Sequence, residues 1–149
     1  MKRIMFVCHG NICRSPMAEL VFRKMVRDAG VEERYSVSSS ATSTEELGNP
    51  VYPPVKALLT SRGIDCSGKH AVQLSRSDYG RYDLFVGMYS ANMRNMMKIF
   101  GGDPDGKVVK LLDYTGGGDV ADPWYTRDFD ATYRDVMAGC EALLRELEE

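Results

Sequence analysis

An α/β sandwich, a parallel sheet covered on both faces by helices, is the fold the sequence predicts. Two observations carry it. Strand-like and helix-like segments alternate along the chain, and the strand-like runs are mostly continuous apolar stretches, as strands buried on both faces are. A third observation bears on function. In such sheets, sites form beyond the carboxyl ends of the strands, where Cys8, Met88 with its following loop, and the loop after Leu112 converge.

Taken in order, Ile4 to Val7 reads as a buried strand that delivers Cys8 to its end. Ser15-Pro16 opens a helix, in which Met17, Leu20, Val21, Met25 and Ala29 recur at helical spacing until Gly30. Tyr35 to Val37 reads as a short second strand running into a Ser/Thr-rich loop, Ser38 to Thr44. Pro53-Pro54 introduces a helix carried by Val55, Leu58 and Leu59 and closed by Gly63. After a polar connection through His70, the run Asp83 to Met88 is the third strand. Met93, Met96, Met97 and Phe100 then set a helical face that ends at Gly101-Gly102. Val108 to Leu112 is the fourth strand. Tyr114 to Asp128, with Gly116-Gly117-Gly118 and Asp122-Pro123-Trp124-Tyr125, reads as a long loop of the kind that carries function. In the last helix Phe129, Tyr133, Val136, Met137, Cys140, Leu144 and Leu147 fall on one face.

At 149 residues the chain is expected to form one domain, large enough for an ordinary core without a staple. It is 44% hydrophobic and 27% charged with a net charge of −2, and it has no basic block to suggest nucleic acid. No apolar run approaches the ~20 residues of a membrane span, and Met1-Lys2-Arg3 leads into a strand rather than a signal peptide, so a cytoplasmic location is expected. The four cysteines, Cys8, Cys13, Cys66 and Cys140, are then expected as reduced thiols. Neither they nor His9 and His70 fall at metal-ligand spacing.

The chemistry concentrates between Cys8 and Arg14. In a short loop between a strand and a helix, successive backbone N–H groups and the helix amino terminus point at one spot and favour an anion there; phosphate suits it. Arg14 adds a planar fork able to bond two phosphate oxygens at once. The same field favours the thiolate of Cys8, a nucleophile at rest. Ser15 is placed to donate a hydrogen bond to that sulfur, and Gly10-Asn11 are the residue types that most readily take φ > 0, as a loop curling its N–H groups inward needs. Cys13 reads either as a packed thiol or as a partner that captures an oxidised Cys8 in a disulfide.

Cleaving a phosphate monoester also needs a proton for the leaving oxygen. Asp122 is the candidate: Pro123 stiffens its chain and Trp124-Tyr125 supply an aromatic wall. Asp119, Asp128 and Asp130 are less well placed, and Asp128 or Thr126 reads as the cap of the last helix. Cys140 and Met93, Met96 and Met97 read as core, Cys66 as an incidental loop thiol, and His70 as solvated or capping a turn.

The stretch Val7-Cys8-His9-Gly10-Asn11-Ile12-Cys13-Arg14-Ser15-Pro16-Met17-Ala18-Glu19, together with Asp122-Pro123-Trp124-Tyr125, Asp128-Phe129 and Tyr133, closely resembles the low-molecular-weight protein tyrosine phosphatases. Weaker echoes lie at Gly63-Ile64, Gln73-Leu74, Tyr82-Asp83 and Asn92, so the resemblance spans essentially the whole chain. It implies a flavodoxin-like three-layer sandwich around a four-stranded parallel sheet, and a single phosphatase domain over residues 1–149. It implies Cys8 as nucleophile, Arg14 as phosphate clamp, Ser15 as hydrogen-bond donor to the thiolate, Asn11 as loop brace and Asp122 as general acid, then base. The loop His9, Gly10, Asn11, Ile12 and Cys13 would bind the phosphate, with Cys13 protecting Cys8 through a disulfide. No cofactor or metal is implied. The expected partners are tyrosine-phosphorylated proteins, which in bacteria often include tyrosine autokinases, with no role for nucleic acid or membrane.

Departures from the family pattern cluster at the rim. His9 replaces an apolar residue, Glu45 falls where many members carry an aromatic, and Tyr89 stands near a frequent acidic position; with Trp124 and Tyr125 these form the expected substrate rim. Arsenate reductases of this fold need further cysteines after the third strand, and Tyr89 to Gly102 holds none. Arginine phosphatases tend to carry threonine where this chain has Ile12, which suits a phenyl ring. An idle phosphotyrosine-binding module would need neither Cys8 nor Asp122.

Overall fold

A computed structural model describes all residues, 1–149. Strands β1 (Lys2–Cys8), β2 (Tyr35–Ala41), β3 (Leu84–Gly87) and β4 (Val108–Lys110) form one all-parallel sheet in the order β2-β1-β3-β4. Helices α1 (Arg14–Asp28), α2 (Pro53–Ser61), α3 (Ser90–Phe100), α4 (Pro123–Thr126) and α5 (Phe129–Glu148) connect and follow the strands. This is the α/β sandwich the alternation predicts.

The period of two along β1 divides the core. Ile4, Phe6 and Cys8 join the larger cluster with Phe22 of α1 and Val136, Cys140 and Leu143 of α5. Met5 and Val7 face the opposite layer, against Phe85, Met96 and Phe100. Against the first face, α5 meets the 3-10 turn Leu111–Thr115 at Gly139, where a Cβ would stand 2.4 Å from Leu111 Cγ. Only a glycine permits that approach. Helix ends fall at the predicted glycines: Gly30, Gly63 and Gly101 all have positive φ.

Four expectations need correction. The second strand does not stop at Val37: it runs through the serines to Ala41, in register with β1 from Lys2↔Tyr35 to Cys8↔Ala41. Two of those serines, Ser39 and Ser40, are buried, and Ser39 finds partners on α1 and the cysteine loop. The fourth strand ends at Lys110, because the Asp113 carboxylate accepts the Lys110 N–H at 3.2 Å and turns Leu111 and Leu112 into the 3-10 segment. Cys66 is not an incidental loop thiol but part of the larger core. Met97 lies off the buried face of α3, whereas Met96 is fully buried. No helix is long and apolar enough to cross a membrane.

Candidate active site

The turn from β1 into α1 is held from outside by its carbonyls. Cys8 O accepts from Thr42 N–H, His9 O from Ser43 N–H and Oγ, and Ile12 O from Tyr52 N–H, all at 2.9–3.0 Å. With those carbonyls drawn outward, the Asn11 N–H points inward and reaches Cys8 Sγ at 3.2 Å. Asn11 takes φ 60 and is the residue that bends the loop; Gly10 does not use positive φ. At Gly10 the approach is close instead: a Cβ there would lie 3.2 Å from Glu46 Cγ, so a larger residue would make the Glu46 side chain shift. Ser15, in the first turn of α1, brings its Oγ to 3.0 Å from Cys8 Sγ, and Asn11 Nδ2 donates to the same Oγ at 2.7 Å.

Arg14 is buried, yet its guanidinium reaches across the sheet. One nitrogen donates to Val120 O at 3.2 Å, the other to Asp122 Oδ2 at 3.3 Å, and its carbon stands 4.4 Å from the centre of the Tyr89 ring. The loop that carries Asp122 is tied down at three points. Val120 N–H donates to Met88 O at the end of β3, Ala121 N–H to Asp135, and Thr132 Oγ1 of α5 to Ala121 O. Asp122 also caps α4, accepting the Trp124 N–H at 3.0 Å. Asp128 caps α5 by accepting from Ala131 N–H, while Thr126 Oγ1 accepts from Asp128 N–H.

These elements enclose a cavity of about 360 Å³. Its floor is Cys8, Gly10, Ile12, Cys13 and Arg14, and its walls hold Asp122, Trp124, Tyr125, His9 and Glu45. His9 Nε2 lies 2.9 Å from Glu45 Oε2, so two of the rim departures form one pair. Trp124 packs against Tyr52 with the rings tilted and their centres 5.3 Å apart, and Tyr125 projects into solvent. Burial, with Cys8 and Asp122 adding negative charge nearby, pushes the Cys13 thiol up to about 12, which keeps it protonated at neutral pH.

The structure thus brings together Cys8, Arg14, Asp122, Trp124, Tyr125, His9, Glu45, Ile12 and Cys13. Tyr89, expected at the rim, is not among the residues that line this cavity; its ring packs against the Arg14 guanidinium. Asn11 and Ser15 are buried beside the sulfur, not exposed in the cavity. Sequence reasoning missed Glu46, which lines the cavity and accepts from Asn49 Nδ2 at 2.6 Å, and for which no local signal exists. It also missed Glu19. Glu19 follows Ser15 by one helical turn on the same face of α1, a spacing that points it at the back of the loop.

Fold and site together define a class: a parallel α/β protein in which a cysteine turn, a helix amino terminus and a buried arginine meet at one cavity. The chain belongs to the low molecular weight phosphotyrosine protein phosphatase family, whose model matches residues 3–149, and so to a family of protein-tyrosine phosphatases, which are hydrolases. It is 33% identical over 149 residues to the low molecular weight protein-tyrosine-phosphatase YfkJ of Bacillus subtilis, covering 98% of this chain and 96% of that one. To the low molecular weight phosphotyrosine protein phosphatase of Gallus gallus it is 35% identical over 161 residues, covering 97% and 95%. The crystal structure of YfkJ matches with a TM-score of 0.95 over 99% of this chain and 95% of that chain. That of a low molecular weight protein tyrosine phosphatase from Streptococcus pyogenes matches with a TM-score of 0.89 at 37% identity, over 99% and 93%.

Proposed function

We propose that residues 1–149 act in the cytoplasm as one phosphatase domain that hydrolyses phosphotyrosine in proteins through a cysteinyl-phosphate intermediate, without a metal. The observation that carries this reading is the environment of Cys8 Sγ. It meets the Asn11 N–H at 3.2 Å and Ser15 Oγ at 3.0 Å on the floor of a cavity that also holds Arg14 and Asp122.

The steps follow from those positions. The Cys8 thiolate attacks phosphorus, the bond from phosphorus to the tyrosyl oxygen breaks, and protonated Asp122 gives its proton to that oxygen. Asp122, now a carboxylate, takes a proton from water as the water oxygen attacks phosphorus. The sulfur–phosphorus bond then breaks, releasing inorganic phosphate and restoring the thiolate. Charge on the phosphoryl oxygens is met by the inward N–H groups of the turn and by the Arg14 fork, which do the work a metal ion would otherwise do. Ile12, Trp124 and Tyr125 give the apolar walls that a phenyl ring fits.

Hydrolysis of p-nitrophenyl phosphate tests the assignment. Cys8→Ser abolishes turnover; activity that survives in it refutes Cys8 as the nucleophile. Asp122→Ala lowers kcat on a phosphotyrosine peptide by about 10²–10⁴-fold, and a loss under about threefold assigns the acid elsewhere.

A further inference from the structure

The short helix α4 ends on a residue type that its backbone disfavours. Arg127 takes φ 58 and ψ 13, the left-handed conformation in which a Cβ crowds the neighbouring carbonyl. Gly30, Gly63 and Gly101 meet the same demand at other helix ends without a Cβ. Asn11, the one other residue with a side chain at positive φ, is short and polar and is held by three hydrogen bonds. Arg127 is long and exposed, and it has no such anchorage in its own backbone. What its side chain reaches accounts for its presence.

From that position the guanidinium carbon stands 5.5 Å from the centre of the Trp124 ring, and Nη1 donates to Tyr52 Oη at 3.1 Å. Trp124 and Tyr52 are themselves in contact, so the three side chains close a triangle. Tyr52 is its fixed corner. The Tyr52 N–H donates to Ile12 O at 2.9 Å, which ties it to the cavity floor, and its ring centre lies 6.1 Å from that of Phe129 in α5. Trp124 is the loose corner: it is 50% exposed and stands on a four-residue helix of which only Pro123 is buried. Of the three, Trp124 alone lines the cavity. An indole so placed is free to swing into solvent unless its neighbours hold it, and a cation over its face with a second ring against it does so.

We propose that Arg127 is a positioning residue: it clamps Trp124 against Tyr52 and so holds one wall of the slot that receives the phosphotyrosine ring. The role deepens the reading of the cavity as a phosphotyrosine site and rests on it. Arg127 meets Trp124 and Tyr52 and bonds to no group of the turn from Cys8 to Arg14. Its loss therefore weakens the hold on the aryl ring while leaving the hold on phosphate, and the chemistry at phosphorus, as they were.

Trp124 is the only tryptophan of the chain, so its fluorescence reads the clamp directly and without substrate. The test compares Arg127→Asn and Arg127→Lys with the wild-type chain. Asparagine accepts the left-handed conformation but is too short to reach Trp124 or Tyr52, whereas lysine keeps a cation for the ring. The readouts are acrylamide quenching of the Trp124 fluorescence, kcat and KM on a phosphotyrosine peptide, and competitive inhibition by inorganic phosphate. In Arg127→Asn the quenching constant is expected to rise and KM to increase about two- to fivefold, the worth of one exposed cation–π contact, with kcat and the phosphate inhibition constant unchanged. Arg127→Lys returns quenching and KM toward the wild-type values. Either quenching or KM unchanged in Arg127→Asn overturns the proposal. So does a phosphate inhibition constant that rises in step with KM, because the arginine then acts on the turn and not on the wall. Each of these results leaves the phosphotyrosine reading standing. A wild-type chain that does not turn over the peptide overturns that reading, and the role of the wall with it.

Discussion

Asn11 offers the sharpest test of how the cysteine turn is held. It sits at φ 60, a region that costs an ordinary L-residue, and its buried side chain makes three hydrogen bonds, to Ser15, Ser39 and the Val72 N–H. Asn11→Ala removes all three, together about 3 kcal/mol at roughly 1 kcal/mol each. Alanine also lacks the polar side chain that eases the left-handed conformation, which adds about 1 kcal/mol. Asn11→Gly loses the same hydrogen bonds without that strain. The expected losses are therefore about 4 kcal/mol for alanine and about 3 kcal/mol for glycine. Urea unfolding followed by far-ultraviolet circular dichroism measures both. If alanine costs under about 1 kcal/mol, the hydrogen bonds are not holding the turn. If glycine is no better than alanine, the backbone is not strained there.

Two further expectations concern charge. The folded Cys13 thiol titrates at about 12 against 9.0 for the ordinary group, so above pH 9.0 the folded chain holds a proton that the unfolded chain releases. Stability from this source is intact below pH 9.0 and falls as pH rises toward 12; the fall in urea midpoint between about pH 8 and 10.5 should be smaller in Cys13→Ala than in wild type, and equal slopes would refute the assignment. At the rim, Glu45→Gln removes the acidic partner of His9 and should shift kcat/KM toward acidic phosphotyrosine peptides by about two- to fivefold, as an exposed charge allows. An unchanged ranking of acidic and basic peptides excludes Glu45 as a selector.

Much of the architecture was legible because it is locally encoded. The strand ending at Cys8, the helix that follows Arg14 and the three glycine stops each depend on residues close in sequence. The extent of β2 was not. Ser38, Ser39 and Ser40 read as loop because their hydroxyls compete with the backbone, and that competition is settled only by long-range partners such as Glu19 for Ser39 and the Tyr82 hydroxyl for Ser38. Glu19 carries only the weak signal of its helical spacing from Ser15: between Ala18 and Leu20 it looks like a solvated helix position until Lys69 and Ser39 arrive from elsewhere in the chain. The contact of Tyr89 with Arg14 was not legible either, since nothing local announces that a buried arginine will lie across its ring.

The contact between Arg14 and Asp122 spans 108 positions, and Arg14 reaches Val120 O as well. During synthesis the entire cysteine turn therefore emerges long before the residues that complete its far wall. A nascent chain, or a fragment cut before Val120, carries the thiol, the turn and the arginine but not Asp122, the proposed proton donor. On the proposed assignment, competence waits for the segment from Val120 onward, and a molecule without it has the parts proposed to hold phosphate but lacks the carboxyl group proposed to help release it.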